Sequence, residues 1–179
     1  EVSGKSVRII SEKRLSEEFP SAYQYLLDAR NDLDKRDKGK TNPVAWYAYG
    51  RSQGLESSFG QKILTSGMNL KPRFFICYDP EYTYYSGYAI YYDGDMEALK
   101  KILNSVIMQY YIKNTSKSYS GGYMAYSRTF LENFSIPELT SEEKEYIKSE
   151  DNKKKLDAFL IQKYFGNDPE IIEVLRTYQ

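Results

Sequence analysis

The chain has 179 residues, 25 basic and 25 acidic, so its formal net charge is zero and its length suits one domain with a core, or a core domain plus a helical appendage. It contains no histidine. That removes Ser-His-Asp and Cys-His nucleophile activation, histidine-ligated zinc and the commonest general base near neutral pH, and no paired acidic motif stands in a catalytic setting; the expectation is a chain that is not an enzyme.

No run of about 18 apolar residues is present and the first ten residues carry no basic-then-apolar leader, so no membrane is expected and the reading is cytoplasmic. The single cysteine, Cys77, sits in the apolar run Phe74–Tyr78, which suggests a buried, inert thiol. Charge is unevenly spread. Between Lys38 and Phe75 six basic residues, Lys38, Lys40, Arg51, Lys62, Lys71 and Arg73, stand against Glu56 alone, a net of +5. Between Ala98 and Leu131, Lys100, Lys101, Lys113, Lys117 and Arg128 meet no acid, again +5; the intervening Ile76–Glu97 is −5 and the tail from Glu132 is −4. A single positive face follows if the fold brings the two basic segments together.

In chain order, Phe19-Pro20-Ser21 opens a helix over about residues 20–35, with Tyr23, Leu26, Leu27, Arg30 and Leu33 at helical spacing and Gly39 and Pro43 as breakers beyond it. From Ala45 to Tyr92 aromatic and β-branched residues punctuated by Gly and Pro predict short strands at 45–49, 61–64, 73–78 and 86–92. Tyr82, Tyr84, Tyr85, Tyr88, Tyr91 and Tyr92 suggest a hairpin around Gly87, its rings either packed across strands or open to a ligand. Asp95 caps a helix whose stripe is Met96, Leu99, Leu103, Val106 and Tyr110; a polar loop, Asn114 to Tyr123, follows. Thr140 and Glu143 form a capping box opening a tail that runs through Leu156, Phe159, Leu160 and Tyr164 to Gly166, and Asp168-Pro169 starts a last helix. The class is α+β: a small mixed sheet of short strands flanked by helices, with a helical C-terminal tail. The expected divisions are 1–18 as a lead-in from a missing catalytic domain, 19–139 as the main domain and 140–179 as the tail.

Two stretches have the chemistry of DNA contact. In Trp46-Tyr47-Ala48-Tyr49-Gly50-Arg51-Ser52-Gln53-Gly54 an arginine can fork onto guanine and a glutamine pair with adenine, although Arg51 can equally make a salt bridge or stack on Trp46. The loop with Lys113, Ser116, Lys117, Ser118, Tyr119, Gly121, Gly122 and Tyr123 carries the hydroxyl, lysine and backbone-amide groups that hold phosphate, although it also fits a plain surface connection. Neither G-x-x-x-x-G-K-[ST] nor G-x-G-x-x-G occurs, so no nucleotide cofactor is expected in this chain. Asn42-Pro43-Val44-Ala45 lacks the second proline and the aromatic of an Asn-Pro-Pro-Tyr element and is not read as catalytic.

Several elements, taken in order, resemble the TaqI-like C-terminal specificity domain of adenine-specific DNA methyltransferases and type IIG restriction-modification enzymes. They are Phe19-Pro20 with Tyr25-Leu26-Leu27, Arg36-Asp37, Trp46-Tyr47 with Tyr49-Gly50-Arg51-Ser52-Gln53-Gly54, Lys62-Ile63-Leu64, Ile102-Leu103-Asn104-Ser105, Gly121-Gly122-Tyr123 and Ile136-Pro137, with Leu156 to Leu175 similar to the helical tail. The resemblance implies a target-recognition domain for double-stranded DNA in a bacterial or archaeal restriction-modification system. Its DNA-binding residues would be Trp46, Tyr49, Arg51, Ser52, Gln53, Lys62, Lys113, Ser116, Lys117, Ser118, Tyr119, Gly121, Gly122 and Tyr123. It also implies a partner, the catalytic methyltransferase domain of the same polypeptide, which would bind S-adenosylmethionine and methylate adenine N6; no glycine motif for that cofactor precedes Phe19, and Glu1 in place of methionine suggests an excised fragment. The competing readings are a carbohydrate-binding module and a protein-interaction module that uses the tyrosine-rich surface.

Overall fold

The computed structural model describes residues 9–50, 58–84 and 86–178, with the backbone alone of 2–3 and 6–7. Its contacts divide the chain into two units, Glu1–Phe59 and Gly60–Gln179. The fold is α+β.

The first unit begins with a two-stranded antiparallel ribbon, β1 (Val2–Ser3) and β2 (Ser6–Val7), and continues through α1 (Glu12–Glu18), α2 (Pro20–Asp28), α3 (Arg30–Asp34) and the irregular turn α4 (Arg36–Gly39). Ser11 caps α1 by accepting from the Arg14 amide, and Pro20 occupies the first turn of α2, where its missing N–H costs nothing. The helix expected over 20–35 is broken at Ala29, whose ψ of 0° is not helical. Asp37, Lys38 and Gly39 then take positive φ, which stops the run before Lys40.

No strand forms at 45–49. The carbonyl acceptors that a neighbouring strand would need are taken by side chains: Arg36 donates to the carbonyls of Trp46 and Ala48, and Asn42 donates to that of Tyr49. Asn42 also accepts from the Val44 amide, making a turn of the kind asparagine favours.

The second unit holds β3 (Lys62–Thr65), β4 (Met68–Asn69), β5 (Phe75–Cys77), β6 (Tyr88–Ile90), α5 (Met96–Leu103), α6 (Val106–Thr115), β7 (Met124–Ala125), α7 (Arg128–Leu131), α8 (Ser141–Ser149), α9 (Lys153–Phe165) and α10 (Pro169–Arg176). β3 is the centre of a three-stranded sheet ordered β5-β3-β6, and both pairings are antiparallel, so the sheet is not mixed. Because β5 and β6 flank β3 on opposite edges, the tyrosine-rich stretch between them crosses from one edge to the other and is not a hairpin about Gly87. β4 pairs with β7 as a separate ribbon.

One long stripe was expected from Met96 to Tyr110; it is two helices, because Asn104 and Ser105 interrupt it. Ser105 caps α6, accepting from the Ile107 amide while donating to the Ile102 carbonyl. The interruption lets the stripe serve two cores. Leu99, Leu103, Met108 and Ile112 pack with Ile63, Phe74, Met124 and Tyr126 on the sheet side, while Ala98, Ile102, Val106 and Ile107 pack with Ile147, Leu156, Leu160, Ile161 and Leu175 of the tail helices. The tail is thus part of this unit's core.

The capping box on α8 has both reciprocal bonds: Thr140 accepts from the Glu143 amide and Glu143 from that of Thr140. The tail is not continuous to Gly166, because Asn152 caps a new helix, α9. Asp168 caps α10, accepting from the Glu170 and Ile171 amides. From α9 the buried Asp157 carboxylate reaches the Val106 amide at 2.9 Å and so caps α6 from outside its own helix. Among the described residues no helix is long and apolar enough to cross a membrane.

Candidate nucleic-acid interface

In the first unit the described members of the expected site are Trp46 and Tyr49; Arg51, Ser52 and Gln53 lie outside the described residues. Trp46 is an anchor. Its indole N–H donates to Glu12 at 2.8 Å, Tyr23 donates to the same carboxylate oxygen at 3.0 Å, and the Arg30 guanidinium lies 4.7 Å from the ring centroid. Tyr23 and Tyr47 meet the ring edge-on, and Tyr47 donates to the Ile10 carbonyl. The hydrogen bonds from Trp46 and then Tyr23 hold the Glu12 carboxyl below its ordinary value. With its N–H taken by Glu12 and Arg30 over its ring, the half-buried Trp46 braces the loop. Tyr49 is 74% exposed and open to a partner.

Lys62, in the second unit, is fully buried, and its ammonium donates to the Gly60 carbonyl at 2.9 Å. It is corrected from a phosphate contact to an interior group, since an ammonium with no solvent-facing surface cannot reach a DNA backbone.

Of the remaining candidates, Lys113 lies in the last turn of α6 and the others, from Ser116 on, fall in one short hairpin that follows it. Ser118 pairs with Met124, the Tyr119 amide donates to the Tyr123 carbonyl at 2.7 Å, the Ala125 amide donates to Lys117, and the Ser116 hydroxyl donates to Ala125. Gly121 (φ 74°) and Gly122 (φ 81°) make the tip, a geometry that favours glycine at both positions. Met124 and Ala125 are buried and fix the hairpin's base, whereas Lys113, Lys117, Ser118, Tyr119, Gly121, Gly122 and Tyr123 are exposed.

β7 carries this hairpin onto β4, with Met68 opposite Ala125 and Asn69 opposite Met124, and the Tyr126 amide donates to the Gly67 carbonyl. The buried Asn69 amide group holds the β3–β4 turn, donating to the Thr65 hydroxyl and the Ser66 carbonyl. The pairing brings the stretch after β4, with Lys71 and Arg73, to the hairpin before β7, with Lys117. Lys71, Arg73, Lys113 and Lys117 are exposed and form no ion pair among the described residues. Elsewhere in this unit several cations are paired, Lys100 with Glu97, Lys101 with Asp151, Lys148 with Asp95 and Glu145, and Lys163 with Glu143, while the exposed Lys154 and Lys155 of α9 have no ion pair among the described residues.

Met68, Leu70, Lys71 and Arg73 were not among the expected site residues. Lys71 and Arg73 were visible in the charge count, but only the β4–β7 pairing gives them a place beside the glycine hairpin. Comparison with protein-family models and with curated proteins finds no match for this chain.

Proposed function

We propose that the chain is a double-stranded DNA recognition domain, non-catalytic by itself, of a restriction-modification adenine-N6 methyltransferase, and that the β4–β7 ribbon with its glycine hairpin is the contact surface. The observation that carries this reading is the antiparallel β4–β7 pairing, which brings the stretch with Lys71 and Arg73 to the hairpin with Lys117, next to Lys113 at the end of α6; all four are exposed and form no ion pair among the described residues. Unneutralised cations beside hydroxyl groups and a glycine tip suit phosphate contact, which positions a reader on the duplex. The ordered motifs from Phe19-Pro20 to Ile136-Pro137 support the methyltransferase assignment, in which a catalytic domain supplies S-adenosylmethionine and the rest of the grip on DNA.

The test is fluorescence anisotropy with labelled duplex at low and moderate salt. Weak, salt-sensitive binding is expected, and the triple variant Lys71→Glu, Arg73→Glu, Lys117→Glu should lose it, while Lys154→Glu, Lys155→Glu on the exposed face of α9 should leave it intact. Replacing a single phosphate-binding lysine by alanine should lower the salt slope by about 1. Nanomolar affinity indifferent to salt, or an equal drop in affinity in both sets of variants, contradicts the reading.

A further inference from the structure

Cations alone account for phosphate contact, and the hairpin carries more than cations. Tyr119 and Tyr123 are cross-strand neighbours on either side of the glycine tip, 49% and 43% exposed. Neither ring nor hydroxyl has a partner among the described residues. That sets them apart from Tyr111 and Tyr164, whose hydroxyls donate to Phe130 and Ser135, and from Tyr110, which packs on Phe165 and Tyr178. A Cβ placed on Gly121 would lie 3.6 Å from the Tyr123 ring, so the ring rests against the bare backbone of the tip. One on Gly122 would lie 3.7 Å from Leu70, and Leu70 and Met68 are themselves more than half exposed.

The outcome is an uncovered apolar and aromatic patch on the same ribbon as Lys117 and next in sequence to Lys71. A fully paired duplex offers phosphates and groove edges but hides its base faces in the stack. Flat rings flanked by unneutralised cations suit a strand whose bases are exposed, where each base stacks on a ring and each phosphate meets a cation. An acidic peptide would satisfy the cations but has no flat faces for the rings.

We infer that the glycine hairpin stacks on unpaired bases through Tyr119 and Tyr123, so that this surface favours DNA with a locally opened pair over the same DNA fully paired. This rests on the nucleic-acid reading above and adds the state of the DNA that is bound.

The experiment compares a labelled duplex with the same duplex carrying a central unpaired bubble. The wild-type chain should bind the bubble about tenfold more tightly, the worth of one base on one ring. Tyr119→Ser, Tyr123→Ser should bring the ratio of bubble to duplex affinity down to about one, and Tyr119→Phe, Tyr123→Phe should retain the wild-type ratio. Equal affinity for bubble and duplex, a preference that survives in the serine variant, or displacement of the bubble by poly-glutamate as effectively as by unlabelled bubble overturns the inference. Salt-sensitive duplex binding without a bubble preference leaves the recognition reading standing, and no binding to either probe overturns both.

Discussion

Every polar atom of the Asn104 side chain bonds to backbone. Its amide nitrogen donates to the Phe74 and Lys100 carbonyls, and its oxygen accepts from the Phe74 amide at 2.9 Å. One side chain thereby ties the entry to β5 to the break between α5 and α6. Asn104→Ala should destabilise the second unit by about 1–3 kcal/mol, because two backbone groups of Phe74 lose their partner. Asn104→Asp, which keeps the acceptor but not the donors, should fall between. Thermal melts followed by circular dichroism measure this, and an unchanged Tm for the alanine variant would refute the role. The Leu103-Asn104-Ser105 motif was legible as a distinct feature of the sequence. Its work was not, since Phe74 lies thirty positions away along the chain. Trp46 is similar: its prominence could be read, but its pairing with Glu12 and its contact with Arg30, which brace the loop, could not.

At the scale of elements, local signals were read correctly because their chemistry closes within three or four residues. The Thr140–Glu143 box, the Asp95 cap, Gly166 at φ 65° and the Asp168-Pro169 start all form as expected. Strand partners are long-range, so the strands at 62–65, 75–77 and 88–90 were placed but the hairpin about Gly87 was not found. Gly87 matters for a different reason. Its φ is +97°, and a Cβ there would come within 2.4 Å of the Thr65 carbonyl oxygen, at the end of the β3–β6 pairing. Gly87→Ala should therefore cost more than the ordinary strain of about 1–3 kcal/mol for such a backbone, whereas Gly121→Ala, with no neighbour nearer than 3.6 Å, should cost the strain alone. Denaturant midpoints of the two variants give the comparison. Equal destabilisation would mean that β6 shifts to admit the methyl group.

Over the whole molecule, zero net charge conceals a division of labour among its cations. Lys100 and Lys101 of α5 and Lys148 and Lys163 of the tail are paired, Lys163 with Glu143 at 2.8 Å, and brace the helices, whereas Lys154 and Lys155 have no ion pair among the described residues. Lys71, Arg73 and Lys117 on the β4–β7 side form no ion pair among the described residues, and a protein without net positive charge can then hold DNA only weakly and through a confined surface. Counting charge along the sequence found both basic segments. That Lys71 and Arg73 adjoin the glycine hairpin depends on β4 pairing with β7, which no local pattern encodes, and the same counting could not tell that Lys62 is interior. The most direct measurement is amide chemical-shift mapping of the isotopically labelled chain on titration with duplex DNA. Shifts should concentrate at residues 68–73 and 113–124 and fade as salt is raised. Shifts confined to α8, α9 and α10, or none at low salt, would contradict DNA recognition by this surface.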